Sequence, residues 1–320
     1  MSTAFYCVAD ARHFLGAVGL LNSLRLVGHD EPFILLDCGL TPRQRAQLAP
    51  HAELVRNPDD TPPMLLKAVA PLARPAEVMV ALDADVIVTA PLTPFIDRAA
   101  SGRVVTFAND NTARHFPEWG RLLGLPAPRR QPYVASGHLF LPGDLGRFLL
   151  ERLEACQRRI ALSDTLLGGA SPADPFYYPD MDVLNAILAS EIAPEQQFAA
   201  DYRLAPHAPF PGVTLLDEQR LRCAYADGTE PHILHHVLRK PWLARTAANV
   251  YSVLLSRLLV GDDVELRVPL SDVPLRLRTG RLARFDRVVS DASAVVSPHV
   301  RGRLGIRPRV QSWLAVRGNA

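Results

Sequence analysis

Between Ala4 and Val88 four apolar runs alternate with three helical stretches, and this alternation restricts the fold more than any other feature of the chain. "AFYCVA" (4–9), "PFILLDCG" (32–39), "AELVRN" (52–57) and "VMVAL" (78–82) read as strands. "FLGAVGLLNSLRLVG" (14–28) carries apolar residues at helical spacing and stops at Gly28. "TPRQRAQLAP" (41–50) opens with Thr41 as an N-cap and Pro42 at the first helical position. "PMLLKAVAPLA" (63–73) reads as a third helix. The order β-α-β-α-β-α-β predicts an α/β fold, with a mostly parallel sheet flanked by helices on both faces. Such sheets bind ligands at the carboxyl ends of their strands.

The fourth strand belongs to "EVMVALDADVIVTAPL" (77–92), which is apolar around two acids, Asp83 and Asp85. Residues i and i+2 of an extended segment point to one side, so both carboxylates are expected on the ligand-binding rim. Two unpaired carboxylates repel each other and resist desolvation. A divalent cation resolves both problems. Magnesium and manganese choose oxygen ligands and bind through one or two carboxylates plus substrate phosphates. The alternative is a pair satisfied by backbone N–H groups or arginines. The position after a complete βαβαβα unit favours the metal.

The second half is less regular. "GRVVTFAND" (102–110) reads as a strand, and "TARHFPEWGRLLGLPAPRRQP" (112–132) as a helix followed by a Pro/Arg loop. "YVASGHLFLPG" (133–143) reads as a strand interrupted by Ser136-Gly137, where the glycine marks either close approach to a ligand or a bulge. "LGRFLLERLEACQRRI" (145–160) is an amphipathic helix. "PADPFYYPDMDVLNAILASE" (172–191) sets Asp180 and Asp182 at a helix start, where N-capping accounts for one of them. "PHILHHVLRKPW" (231–242) reads as a strand entering a loop of ligand-contacting residue types. Residues 245–320 form a C-terminal extension expected to pack on the same domain as 1–244. In it "TAANVYSVLLSRLLVG" reads as a helix and "DVELRVPLSDVPLRLR" (263–278) as a half-exposed strand pair. Residues 301–320 are basic without acids, suited to covering an edge, forming a homo-oligomer or meeting anionic lipid.

Composition narrows the function classes. A net charge of +2 with no recognisable binding motif gives no reading as a nucleic-acid partner. No apolar run reaches about 18 residues, so no membrane span is expected. "MSTAFYCVADARHF" has no basic segment followed by an apolar one, so no secretion signal is expected. The expected compartment is the cytoplasm, with the basic C-terminus allowing peripheral contact at the inner membrane face. Cys7, Cys38, Cys156 and Cys223 lack metal or disulfide spacing and read as small buried hydrophobes. Only two of the 35 basic residues are lysines, Lys67 and Lys240.

With these pieces in place, residues 4–242 resemble glycosyltransferase family 8, the GT-A-type nucleotide-sugar transferases that include glycogenin and the lipopolysaccharide galactosyltransferases. The resemblance implies a GT-A (Rossmann-like) fold and a manganese or magnesium ion. It also implies a nucleotide-sugar donor, on family precedent a UDP-sugar, and transfer with retention of configuration. The acceptor is unidentified: a glycan, lipid, protein or small molecule. "LDADVIV" is similar to the family's DxD, implying Asp83 and Asp85 as metal ligands and Ala84 against the donor. "VADARHF" is similar to its nucleotide-contacting segment, giving Ala9 and Asp10. "ASGHLFL" stands where the family has Asn-Ala-Gly, giving Ser136 and Gly137 beside the donor sugar. "PDMDVLNAIL" resembles Asp-Gln-Asp-x-Leu-Asn, giving Asp180 and Asp182 as sugar contacts, with Asp182 orienting the sugar hydroxyls. "HHVLRKPW" resembles His-x-x-Gly-x-x-Lys-Pro-Trp, which implies His235 as third metal ligand and Lys240 on the diphosphate. Lys67 lies close to a basic donor-binding position, so both lysines fall on the phosphate side. A lysine ammonium suits a phosphate point contact.

The chain departs from the pattern in three places. Ala135 replaces the asparagine and Met181 the glutamine. The histidine block is one residue short and lacks its glycine, leaving His232 and His236 open beside His235. The first two departures support a non-catalytic nucleotide-sugar-binding reading. A haloacid-dehalogenase-type phosphatase would use Asp83 as nucleophile and Asp85 as acid/base, but leaves "MDVLNAIL" and "KPW" unexplained. A sugar-phosphate nucleotidyltransferase would need a glycine-rich basic loop that "VADARHFLGAVG" does not provide. The acceptor is expected to meet 111–132 and 192–230.

Overall fold

A computed structural model describes residues 2–57, 60–110, 113–244 and 246–278. The expected alternation is present: β1 (Thr3–Ala9), α1 (Phe14–Leu26), β2 (Phe33–Asp37), α2 (Pro42–Leu48), β3 (Glu53–Arg56), α3 (Val69–Ala73), β4 (Val78–Leu82). It continues through β5 (Val86–Val88), α4 (Thr93–Ala100), β6 (Val104–Phe107), α5 (Trp119–Leu123), β7 (His138–Pro142) and α6 (Gly143–Gln157). The remaining elements are α7 (Pro179–Glu191), β8 (Gln197–Ala200), β9 (Thr214–Asp217), β10 (Arg222–Ala224), β11 (Ile233–His235) and α8 (Val250–Val260). Seven strands form the central sheet in the order β3-β2-β1-β4-β7-β6-β8. β3, β2, β1 and β4 are parallel, β7 runs antiparallel between β4 and β6, and β8 returns parallel to β6. Two antiparallel pairs, β9–β10 and β5–β11, stand outside it.

Strand periodicity divides the core in two. Phe5, Cys7 and Ala9 of β1 face a core shared with α1, α4 and α8. Ala4 and Tyr6 face the other, shared with α6 and α7. α1 is buried along nearly its whole length, which explains its uniformly apolar sequence. Two glycines let it approach its neighbours. A Cβ at Gly16 would overlap the Ala84 carbonyl oxygen and lie 2.7 Å from the Trp242 indole, and one at Gly19 would lie 2.6 Å from Leu255. Asn22, fully buried, bonds the Leu258 carbonyl (2.7 Å) and both the carbonyl and amide of Leu266 (2.8 Å each). These three bonds dock α8 and the segment after it onto α1.

Prolines account for most differences from the sequence reading. The 63–73 helix is a 3-10 turn (Pro63–Leu65) followed by α3. Pro71 would clash with the Lys67 carbonyl inside a continuous helix but is tolerated in the first turn of one starting at Val69. Between Ala113 and Arg130 only α5 is helical, starting after Pro117 and ending at Gly124 in the left-handed conformation. β7 begins at His138, so Ser136-Gly137 precedes the strand instead of interrupting it. Residues 263–278 hold no strand. Pro269 and Pro274 lack the N–H that a ladder needs and introduce 3-10 turns at Leu270–Asp272 and Leu275–Leu277. The basic stretch 301–320 lies outside the described residues. Among the described residues, no helix is long and apolar enough to cross a membrane.

Candidate functional site

Three backbone pairings build the site at the carboxyl end of β4. The β4–β7 register sets Leu82 opposite His138, and Asp83 N–H donates to the Gly137 carbonyl (2.9 Å). The β5–β11 register sets Val86 opposite His235, and His236 N–H donates to the Asp85 carbonyl (2.9 Å). A parallel bridge joins His207 to His235.

Asp83-Ala84-Asp85 is a tight turn between β4 and β5, closed by Val86 N–H on the Asp83 carbonyl (3.1 Å), and not an extended segment. The turn, not the pleat, brings both carboxylates to one place. Asp83, Asp85 and His235 present ligand atoms within 4.8 Å of one another. His235 Nε2 lies 3.1 Å from Asp85 Oδ1 and 3.7 Å from Asp83 Oδ2. Two carboxylates and an imidazole suit a divalent cation such as manganese or magnesium. Gly137 makes room for this ring: a Cβ there would overlap the imidazole, at 2.8 Å from Nδ1, and lie 3.1 Å from Asp83 Oδ2. Of the other two histidines, His232 bonds the Pro91 carbonyl through Nδ1 (2.8 Å). His236 packs on Tyr251 (ring centroids 5.0 Å), with Nε2 facing Asn249.

Both lysines join the carboxylates. Lys67 is buried and meets Asp83 at 2.9 Å, Asp180 at 2.9 Å and the Ser136 carbonyl at 2.9 Å. Burial alone would lower its pKa, but Asp83 and Asp180 raise it. Lys240 is paired with Asp85 and donates to the His236 carbonyl (2.6 Å). Burial opposes the charge of Asp85, yet Lys240 and His235 hold its carboxyl well below the usual range. Asp180 also accepts from Ser136 Oγ (2.7 Å); against burial, Lys67 and that hydroxyl depress its pKa.

Asp182 goes elsewhere. It is fully buried and accepts from Arg114 Nε (2.6 Å) and Nη2 (2.7 Å), Tyr133 OH (2.8 Å) and the Tyr178 amide (2.8 Å). These bonds occupy its carboxylate and hold the start of α7, so the expected sugar-orienting role does not match its placement. Asp180 is the acid that joins the Lys67 cluster. Neither is an N-cap, since Tyr178 holds that position. Met181 accepts a weak bond from Asn109 Nδ2 (3.7 Å), and Ala135 is buried.

Ala9 ends β1, and Asp10 closes the turn into α1, accepting from the Arg12 and His13 amides (2.9 Å each) and from the His13 ring (2.8 Å). Trp242 ties this turn to the lysine loop by donating to the Arg12 carbonyl (2.7 Å). Sequence reasoning missed Arg114, Tyr133, His138 and His207. Arg114 and Tyr133 lie far in sequence from Asp182, and neither carries a local motif.

No family model matches the chain, and no curated relative does. Solved structures do. The chain is 16% identical to the galactosyltransferase LgtC in complex with donor and acceptor sugar analogs (TM-score 0.50), over 84% of this chain and 98% of that one. An active-site mutant of LgtC superposes with TM-score 0.54 at 15% identity over the same shares. The apo glycosyltransferase GlyE of Streptococcus pneumoniae TIGR4 gives 0.54 at 12% identity, over 81% of this chain and 61% of that one. With its mostly parallel seven-stranded sheet flanked by helices, the chain has the GT-A fold of these glycosyltransferases.

Proposed function

We propose that the protein is a metal-dependent glycosyltransferase that moves a sugar from a nucleotide-sugar, a UDP-sugar on family precedent, to an acceptor with retention of configuration. One observation carries this reading: both lysines of the chain converge on the two rim carboxylates that also face His235. Asp83, Asp85 and His235 would hold a manganese or magnesium ion. When bound, that ion neutralises the donor diphosphate and the charge that grows on it as the glycosidic bond breaks.

The chain's own residues do the rest. Lys240 keeps a buried positive charge beside Asp85 for the leaving diphosphate. Lys67 locks Asp83 to Asp180 and Ser136, fixing the carboxylate on one side and the sugar-facing acid on the other. Asp180 orients the sugar hydroxyls. Asp182 positions α7 through Arg114 without touching substrate. Ala9, Asp10 and Ala84 line the nucleotide side, and Gly137 keeps the wall open for His235. Asp180 and Lys67 already satisfy each other, so no covalent nucleophile is assigned.

The fold likeness is to glycosyltransferases and lends nothing to the phosphatase alternative. Met181 and Ala135 favour a second reading, donor binding without turnover. A panel of UDP-sugars incubated with the protein and manganese tests both readings. Release of UDP from one donor, lost in Asp180→Ala, supports transfer chemistry. Tight metal-dependent binding with no release from any donor, under hydrolysis or acceptor conditions, favours the binding protein.

A further inference from the structure

Beside the carboxylate pair lies a second cluster, which shares His235 with it and adds two histidines that this chemistry does not use. His138 opens β7, His207 forms the isolated parallel bridge to β11, and His235 ends β11. All three are buried, and a ring nitrogen of each lies within 4.8 Å of the others. Their ring centroids are 5.0, 5.6 and 6.2 Å apart. Three imidazoles sharing one tetrahedral ion at the usual metal–nitrogen distance have ring centres about 5 Å apart. The separations here need only a small closure to reach that arrangement.

The hydrogen-bond inventory points the same way. Both ring nitrogens of His138, Nε2 of His207 and Nδ1 of His235 are buried without a hydrogen-bond partner among the described residues. Unsatisfied buried polar atoms are costly, and a phenylalanine or leucine would fill the same space without them. The walls are already aromatic: Phe107 stacks on His138 (4.8 Å, 16°), and Tyr202 meets His207 edge-on (5.5 Å). Packing alone therefore does not call for imidazoles at these positions, whereas a metal would satisfy their nitrogens.

We propose that His138, His207 and His235 form a second metal site, one that takes a zinc-type ion (Zn2+, Co2+ or Ni2+) and discriminates against manganese and magnesium. The discrimination follows from an all-imidazole donor set, since hard cations require oxygen ligands. Three protein ligands leave a fourth position for water, as in other three-histidine zinc sites. His235 belongs to both sets. Its Nε2 faces Asp85 while its Nδ1 has no partner among the described residues, so a single ring offers one nitrogen to each side.

The test uses tag-free full-length protein stripped of metal by chelation. Co2+ is titrated by visible absorption and Zn2+ by calorimetry, on wild type, the Asp83→Asn/Asp85→Asn double variant, His138→Phe and His207→Gln. The expected result is one equivalent of tetrahedral Co2+, and one tight equivalent of Zn2+, retained in the carboxylate double variant; a further, weaker equivalent in wild type belongs to the carboxylate site and is lost in that variant. Affinity should fall by at least about 100-fold in each histidine variant. His138→Phe keeps an aromatic ring on Phe107, and His207→Gln keeps a polar side chain, so a folding failure in one leaves the other to report. Manganese-dependent UDP binding by His138→Phe separates a failure of this site from a failure of the donor site. Absence of tight Co2+ and Zn2+ binding, tight binding lost in the carboxylate variant, or tight binding untouched by both histidine variants overturns the proposal.

Discussion

The chain contains two Asp-x-Asp triplets in comparable roles on paper, Asp83-Ala84-Asp85 and Asp180-Met181-Asp182, and the fold treats them in opposite ways. In the first, a tight turn after β4 brings both carboxylates to the rim, where Lys67, Lys240 and His235 meet them. In the second, the first turn of a helix separates the carboxylates. Residues two apart on a helix do not share a face. Asp180 points to Lys67 and Ser136, and Asp182 points into the core toward Arg114 and Tyr133. Spacing alone does not say whether two acids cooperate; the backbone that carries them decides it.

The largest effect expected from this contrast is on stability. Asp182→Ala leaves the buried Arg114 guanidinium with the Pro172 and Asp174 carbonyls but without its carboxylate, and losing one partner of a buried pair costs about 3–5 kcal/mol. Urea denaturation reads this directly. Asp180→Asn should cost far less, because Lys67 keeps Asp83 and the Ser136 carbonyl. Equal losses in the two variants would break the contrast.

Function should divide the other way. Asp85→Asn is expected to lower metal-dependent UDP affinity by at least about 100-fold, since a metal site loses an anionic ligand, and urea denaturation run alongside separates this from the stability lost when buried Lys240 loses its carboxylate. Next comes Gly137→Ala, whose new methyl group overlaps His235. A displaced ligand ring should cost about tenfold in manganese affinity. An unchanged affinity would remove His235 from the metal set.

The smallest effect concerns a third rim carboxylate that is satisfied within the protein. Asp37 ends β2 and is bound by Arg45 and by the Gly39 (2.9 Å) and Leu40 (2.7 Å) amides. Burial opposes its charge, but Arg45 and these amides hold its pKa below the ordinary value. A depressed folded pKa contributes stability above the unfolded value, about 4, that is lost as pH falls through the folded one. Asp37→Asn should therefore lower stability modestly at neutral pH, where the ion pair contributes fully, flatten the acid limb below about pH 4 where wild type loses that contribution, and leave UDP binding unchanged. An unchanged neutral stability would contradict this account, and a loss of UDP binding would show that Asp37 also serves the site.

Much of this arrangement was legible in the sequence. The strand–helix alternation through Val88 is carried by local periodicity and caps, including the Thr41–Gln44 capping box, so it reads directly. The rim acids and both lysines stood out because a charged group in an apolar run and a rare residue type are local signals. The cooperation of Lys67 with Asp180 was not legible, since it depends on packing across 113 residues. The partners of Asp182 and the three-histidine cluster were hidden for the same reason. Arg114 and Tyr133 come from the stretch between β6 and β7, and the histidines from β7, β11 and the segment between them, so only the folded chain brings each set together. The strand pair read in 263–278 failed because alternation is a pattern of side chains, while two prolines withhold the backbone donors a strand needs.

The most direct measurement is calorimetric titration of UDP into the full-length protein with and without manganese, repeated on Asp85→Asn. Binding that requires manganese in the wild type and disappears in Asp85→Asn is the predicted result, and it would establish the rim carboxylates as the donor site. Binding of equal strength without metal, or in the variant, would contradict the assignment of Asp83, Asp85 and His235 as the metal centre.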